Sequence, residues 1–304
     1  MNVAERLIDR WSDFVWRLMP DWQKEYLASS RAQLQLDERS SKYSKITTAL
    51  NFASTFNPIA RFIPGRPLPG IAPGSWIAYH LCRSIDDIAD GEQPLPQEYH
   101  SFRHFFHDLH QTIETENYPE TEIGLLLRGT IRDMEQYHGV DIRQGLHDFI
   151  EAMYVEYERR ANKAISTREE LFVVYQQSFS VPQDIAFICF HSRIRSKDVP
   201  ELAQLQGRLY AVKDLAEEIP KGIVFIPKEV IPDMDWQSLL RKYEDNPQIL
   251  SWNAEELDAG KELIARLRSY RLDMGGKLVM SFLVKGIEKY IQQITSLPAS
   301  YSNI

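Results

Sequence analysis

Three aspartates stand close together in the segment AYHLCRSIDDIAD, residues 78–90. On a helix, Asp86 and Asp90 are four residues apart and share a face, and Asp87 lies about 100° around the axis. Apolar residues interleave with these acids, which predicts that much of the helix is buried. Clustered carboxylates in such a setting favour a bound cation, and hard oxygen ligands suit Mg²⁺. A solvated acidic helix face is the alternative interpretation.

A second acidic cluster lies 128 residues further on, counted from Asp86 to Asp214. Asp214, Glu217 and Glu218 have the i, i+3, i+4 spacing of one helical face. Alone, such a cluster is typical of a solvated helix end. Two carboxylate faces together could instead clamp Mg²⁺ ions around a diphosphate, because the metals would neutralise the leaving group and allow its C–O bond to ionise.

The order and content of these motifs resemble the squalene/phytoene synthase family. Residues 78–90 are similar to that family's first aspartate-rich motif, and residues 209–227, LYAVKDLAEEIPKGIVFIP, are similar to its second. Residues 137–153 are similar to the stretch that leads into its central helix. The resemblance covers about residues 45–290. It implies an all-α fold, namely an isoprenoid synthase-type helical bundle around a central cavity that holds prenyl diphosphates and Mg²⁺, with Mn²⁺ as a substitute.

The resemblance also implies a role for each matched residue. The expected metal ligands are Asp86, Asp87, Asp90, Asp214, Glu217 and Glu218. The expected contacts to diphosphate oxygens come from Arg83, Lys213 and Lys221. Tyr79 and Tyr175 are expected to orient the prenyl chain or a developing cation, which makes them catalytic residues together with Arg83.

Departures from the family's pattern bear on the acceptor. Tyr210 stands where an asparagine is usual, and it cannot offer an amide oxygen to a metal. Glu156 stands where an aspartate is usual. Residues 178–182 replace a run of small residues, and Phe179 shares a helical face with Tyr175. The expected substrate is a prenyl diphosphate of C10–C20 length. Its acceptor is open between a second prenyl diphosphate, which is the family default, intramolecular cyclisation, and an aromatic small molecule.

Helical periodicity dominates the rest of the chain and predicts nine to eleven helices in one all-α domain over residues 1–304. An N-terminal helix is predicted to end before Pro20, and Pro220 is expected to end the helix of the second acidic cluster. Residues 57–74 are predicted to form a proline-rich loop and residues 297–304 a frayed tail. The other predicted helices cover 76–90, 98–116, 121–137, 141–164, 167–192, 198–219, 235–244 and 254–296, and only residues 223–226 suit an extended segment.

Composition excludes several classes of function. The net charge is -8 and no run of five Lys or Arg occurs, so nucleic-acid binding is not expected. Cys82 and Cys189 lie in apolar contexts and are expected to be buried free thiols. The N-terminus lacks the apolar region of a secretory signal, and nowhere do about 18 apolar residues run together. We therefore expect a cytoplasmic protein without a transmembrane segment, with peripheral membrane contact and oligomeric state left open.

A non-catalytic helical protein that serves as an assembly or binding module is the rival from another class. Such a protein would be expected to lose ligands from the first acidic helix. The three acids and Arg83 are all present, which favours the enzyme.

Overall fold

The computed structural model describes residues 75–296. The predicted N-terminal helix, the proline-rich loop and the tail lie outside the described residues. Within them the chain is all-α, as predicted, and contains no strand. The ten helices are α1 Ser75–Ala89, α2 Phe102–Thr115, α3 Glu122–His138, α4 Arg143–Asn162, α5 Arg168–Cys189, α6 Glu201–Lys213, α7 Leu215–Lys221, α8 Trp236–Lys242, α9 Pro247–Ser269 and α10 Met274–Ser296.

Side-chain caps explain why several of these helices begin where they do. The Ser101 hydroxyl accepts from the backbone N–H of His104 at 3.2 Å at the start of α2. Thr167 and Glu170 form a reciprocal capping box at the start of α5. Each cap satisfies backbone N–H groups that have no partner within the helix, and so defines the first turn.

Two long predicted helices are each divided in the structure. The helix predicted over 198–219 breaks at Asp214, where φ is -96° and ψ is 5°. The helix predicted over 254–296 ends at Ser269 and resumes at Met274, because Tyr270 adopts an extended conformation. Helical spacing continues across both breaks, and for this reason periodicity alone did not reveal them.

Pro220 does not end its helix, contrary to the sequence-based prediction. α7 continues through Pro220 to Lys221 and stops at Gly222, whose φ of 94° lies in the left-handed region. The Gly222 N–H donates to the carbonyl of Ile219 at 3.0 Å, which caps the last turn. Glycine, rather than proline, is therefore the terminating residue here. Residues 223–226 have no regular secondary structure.

Helix α5 is the central element of the described part. It packs against α4 and α6 and also contacts α1, α3 and α10. Val181, Ile185 and Ile188 of α5 belong to a core shared with helices α1 to α4. Phe187 belongs to a second core between α6, α9 and α10. Helix α5 therefore contributes to both cores and joins the two halves of the described part.

Cys82 and Cys189 are both free and buried, as predicted. Among the described residues, no helix has the length and apolar character needed to span a membrane.

Candidate functional site

The first acidic cluster lies at the C-terminal end of α1. Leu81, Ile85 and Ile88 bury one side of this helix in the core, which leaves Asp86 and Asp90 half-buried on the other side. Arg83 pairs with Asp86 and is also held at 2.6 Å from Oδ1 of Asp87 and at 3.2 Å from Oε2 of Glu92. One guanidinium therefore links three acidic side chains.

Asp87 points toward the loop that follows α1. Its Oδ2 accepts from Nε2 of Gln93 at 2.8 Å, and its carbonyl oxygen accepts from the backbone N–H of Gln93 at 2.9 Å. These bonds fix the position of the loop and of Glu92 within it. Asp87 thus ties the loop to α1, while it shares the Arg83 guanidinium with Asp86.

The second acidic cluster lies where α6 breaks. The backbone N–H groups of Glu217 and Glu218 donate to the carbonyl of Asp214 at 3.0 and 2.9 Å and start α7. The Lys213 ammonium lies 2.7 Å from Oδ1 of Asp214 and 5.1 Å from the ring centre of Tyr290. The break turns Glu218 inward, so it is half-buried, whereas Glu217 is exposed.

The two clusters meet at Lys221. Its Nζ lies 3.1 Å from Glu92, 3.1 Å from Glu217 and 3.4 Å from Glu218, measured to carboxylate oxygens. One oxygen from each of these three glutamates lies within 4.8 Å of the other two. Carboxylates separated by more than 120 residues in the sequence therefore share one small region.

Helix α4 holds the two turns that follow the acidic helices. Gly91 follows Asp90 with φ of 70°, and a Cβ atom there would lie 2.4 Å from Nη1 of Arg160. A Cβ atom at Gly222 would lie 3.3 Å from the carbonyl oxygen of the same arginine. Both turns thus pack on Arg160, and both need the left-handed conformation that glycine adopts readily.

Glu156 lies one helical turn before Arg160 and faces the acidic side chains. Its Oε1 accepts from the Ser178 hydroxyl of α5 at 3.3 Å. Burial raises the pKa of Glu156 to about 7, and the charges of Asp86 and Glu218 contribute to this rise. Helix α4 therefore adds a carboxylate between the two motifs.

Burial, reinforced by repulsion between neighbouring carboxylates, raises the pKa values of the acidic side chains in the site. Burial raises the pKa of Asp90 to about 9, and the charges of Asp86, Glu156 and Glu218 add to it. Burial likewise raises the pKa of Asp86 to about 6, although Arg83 opposes the change. The pKa of Glu218 is also raised by burial. Four carboxylates from α1, α4 and α7 thus interact, and a cation would stabilise their charged forms.

The structure brings together only some of the residues predicted from the sequence. The predicted residues that lie around Lys221 and its three glutamates are Arg83, Asp86, Asp90, Glu217, Glu218 and Lys221 itself. Asp214 and Lys213 pair with each other at the helix break, and Asp87 faces the loop. Tyr79 lies one turn before Arg83, with its ring centre 5.7 Å from that of His80.

Tyr175 is buried against α6 rather than placed on an open surface. A Cβ atom at Gly207 would lie 2.1 Å from Cγ of the Tyr175 ring, so the tyrosine packs directly on the backbone of α6. Burial raises the pKa of Tyr175. Phe179, one turn later, stacks on Tyr210 of α6 with ring centres 5.8 Å apart. As the spacing predicts, Tyr175 and Phe179 point the same way.

Sequence reasoning missed Glu92 and Glu156 as members of this site. Glu92 follows the first motif by only two residues, but it lies beyond the end of α1, where helical spacing no longer predicts direction. The sequence did contain a signal for Glu156, because this residue stands where the squalene/phytoene synthase family usually has an aspartate.

A pocket of about 390 Å³ lies on the other side of α1. Ser84 and Ile88 of α1 line it, together with Tyr99, Phe105 and Thr112. The site residues predicted from the sequence are not part of its lining. It is therefore separate from the carboxylates around Lys221.

The fold and the site together define an all-helical protein with carboxylates from three helices and one loop converging beside an arginine and a lysine. Comparison of the chain with family models finds no match, and comparison with curated proteins also finds none.

Proposed function

We propose that this chain is a Mg²⁺-dependent enzyme that ionises an allylic prenyl diphosphate, with the isoprenoid synthase-type fold of the squalene/phytoene synthases. The observation that supports the proposal most directly is that Glu92, two residues after the first acidic motif, meets Glu217 and Glu218 of the second motif at Lys221. Sequence spacing alone does not require distant acidic helices to meet. Their convergence is what binding of a metal–diphosphate complex would need.

The donor set fits Mg²⁺. All candidate ligands are carboxylate oxygens, which hard divalent cations prefer. The pKa values of Asp86, Asp90 and Glu156 are raised first by burial and then by neighbouring carboxylates. The residues that would hold the metal are Asp86, Asp90, Glu92, Glu156, Glu217 and Glu218. Bound Mg²⁺ would supply neutralisation of the diphosphate leaving group.

Arg83 and Lys221 are the groups that would bind diphosphate oxygens. Their side chains are 26% and 31% exposed, so both retain access to solvent. Both now pair with carboxylates, and Glu92 contacts each of them. On substrate binding, the N–H groups of Arg83 and Lys221 would donate to diphosphate oxygens. The carboxylates that they release would then be able to bind the metal.

Asp87 and Lys213 have supporting roles in this proposal. Asp87 orients Arg83 and the loop of Glu92 through its contacts at 2.6 and 2.8 Å. Lys213 neutralises Asp214 next to the helix break. We therefore assign the metal to the other carboxylates, and Asp87 and Asp214 to positioning.

The aromatic side chains between α5 and α6 support an apolar substrate. Tyr175, Phe179 and Tyr210 lie along this contact, and Ser178 connects the same turn of α5 to Glu156. Aromatic faces stabilise a carbocation without reacting with it as a carboxylate would. The stacked pair of Phe179 and Tyr210 favours cyclisation or a small acceptor over a second long prenyl chain.

The test is incubation of the purified chain with C10, C15 and C20 prenyl diphosphates and Mg²⁺, with measurement of released diphosphate and of products. Release should stop in EDTA and return with Mg²⁺ or Mn²⁺. Glu218→Gln should lower kcat by about 10²-fold or more, because it weakens charge stabilisation in the transition state. The exposed Glu255→Gln is the matched control and should retain activity. Turnover in excess chelator, or no release from any of the three substrates, would contradict the proposal.

A further inference from the structure

Helix α10 exposes a row of large apolar side chains. Met274, Leu278 and Phe282 are 54%, 44% and 59% exposed, and their i, i+4, i+8 spacing puts them on one side of the helix. The opposite side of α10 is buried in the core with α6 and α9. The other large apolar side chains exposed among the described residues stand singly on different helices and are Val173, Leu240 and Leu250.

Basic residues accompany this row. Lys277, Lys285 and Lys289 are exposed on the same helix, and the helical phase of Lys285 and Lys289 falls between those of Met274 and Phe282. We call these six side chains the basic apolar face. It contrasts with the chain as a whole, whose net charge is -8.

The acidic side chains next to the basic apolar face have other partners. Asp273 accepts from the Ser192 hydroxyl and from the backbone N–H groups of Arg193 and Gly276, each at 2.7 Å. Glu288 pairs with Arg268 of α9. Arg268 neutralises Glu288, and the three lysines outnumber the remaining carboxylate of Asp273, so the basic apolar face stays net positive.

We infer that the basic apolar face binds an anionic lipid surface. Apolar side chains of this kind enter the boundary between headgroups and acyl chains, and lysines beside them bind lipid phosphates. A second copy of the chain fits less well, because a symmetric pairing would oppose the same lysines. The three half-exposed apolar side chains together also offer only about 300 Å², below the ~800 Å² per partner of a stable protein interface.

The experiment is co-sedimentation of the full chain with vesicles of phosphatidylcholine alone or with about 30% phosphatidylglycerol. Binding should require the anionic lipid and should weaken as NaCl rises from about 0.05 to 0.5 M. Replacing the three lysines by glutamine should lower the partition coefficient by on the order of 100-fold, at roughly fivefold per lysine. Leu278→Gln with Phe282→Gln should lower it about tenfold or more.

Leu240→Gln with Leu250→Gln is the matched control, since it removes two exposed apolar side chains elsewhere and should leave vesicle binding unchanged. Circular dichroism and Tm establish that each variant is folded. Equal binding to both kinds of vesicle, or unchanged binding of the α10 variants, would overturn the inference. Concentration-dependent dimerisation that disappears in the Leu278 and Phe282 variant, without vesicle binding, would assign the face to a second copy and would also overturn it.

Discussion

The Nζ of Lys221 lies 3.1 Å from Oε1 of Glu92, although the two residues are 129 positions apart in the chain. This contact joins the loop after α1 to the last turn of α7. Burial lowers the pKa of Lys221, but hydrogen bonds to Glu92 and Glu217 outweigh burial and raise it overall. The ammonium therefore stays charged near neutral pH and acts as the internal counter-ion of three glutamates.

Lys221→Met should strengthen Mg²⁺ binding, whereas Glu92→Gln should weaken it. The first change removes a cation that competes for the same carboxylates, and the second removes a ligand. Each change should alter the apparent Kd about fivefold, the scale of a solvent-accessible ion pair. Titration calorimetry with MgCl₂ measures both variants without any need for turnover.

Lys261→Met is the control for Lys221→Met. Lys261 pairs with Asp258 at 2.8 Å on the exposed side of α9, so its removal should leave the Mg²⁺ affinity unchanged. A shift in the same direction for Lys221→Met and Glu92→Gln would show that the two residues do not act on one cation site.

Stability should fall as pH rises because of Asp133, which is 0% exposed. Neither of its carboxylate oxygens has a hydrogen-bond partner among the described residues, and burial raises its pKa from 3.8 to about 7. A raised pKa means that the folded state binds the proton more tightly than the unfolded state. The stabilisation is therefore complete below pH 4 and is lost as pH rises through about 7.

Asp133→Asn should remove this part of the pH dependence. At about 1.4 kcal/mol per pKa unit, the free energy of unfolding of the variant should rise by up to ~4 kcal/mol relative to that of the wild type between pH 4 and pH 8. Urea denaturation at several pH values, in EDTA, measures the difference. Parallel stability curves for the two proteins would show that the Asp133 carboxyl is not protonated in the folded state.

Gly207→Ala should destabilise the fold through the ring of Tyr175. The new Cβ atom would lie 2.1 Å from Cγ of that ring, and overpacking of this kind costs about 1–3 kcal/mol or more. Gly286→Ala is the matched control, because nothing lies within 4 Å of its Cβ position. In the interior of α10 it should stabilise by about 0.5–1 kcal/mol. Thermal denaturation of both variants measures whether the two changes in stability have opposite signs.

Phe179→Ala should shift the preferred substrate or acceptor toward a longer or bulkier one. It removes the ring stacked at 5.8 Å on Tyr210 and opens space between α5 and α6. Product analysis with C10, C15 and C20 diphosphates, alone and with an aromatic co-substrate, measures the change. Phe102→Ala is the control, since it breaks a stacked pair with Tyr157 at 4.1 Å on the side of α2. An unchanged profile, or the same change in both variants, would assign Phe179 to ordinary core packing.

Local spacing was sufficient to predict the helices and the acidic faces. Asp86 and Asp90 share a face because helical geometry places residues i and i+4 together, and the apolar residues between them predicted the burial seen at Ile85 and Ile88. The free state of both cysteines followed from their apolar neighbours in the same way. These properties depend on a few adjacent residues, so they can be predicted from the sequence alone.

The composition of the site depended on contacts between distant segments. Glu156 reaches the acids because Arg160, on the same face of α4, packs against the turns at Gly91 and Gly222. Glu92 meets Lys221 because Gln93 ties its loop to Asp87. The backbone breaks at Asp214, so α6 and α7 are two helices where the spacing predicted one. Helical periodicity gives the direction of a side chain only within one continuous helix. Which helices pack together, and where they break, is therefore decided by the tertiary structure.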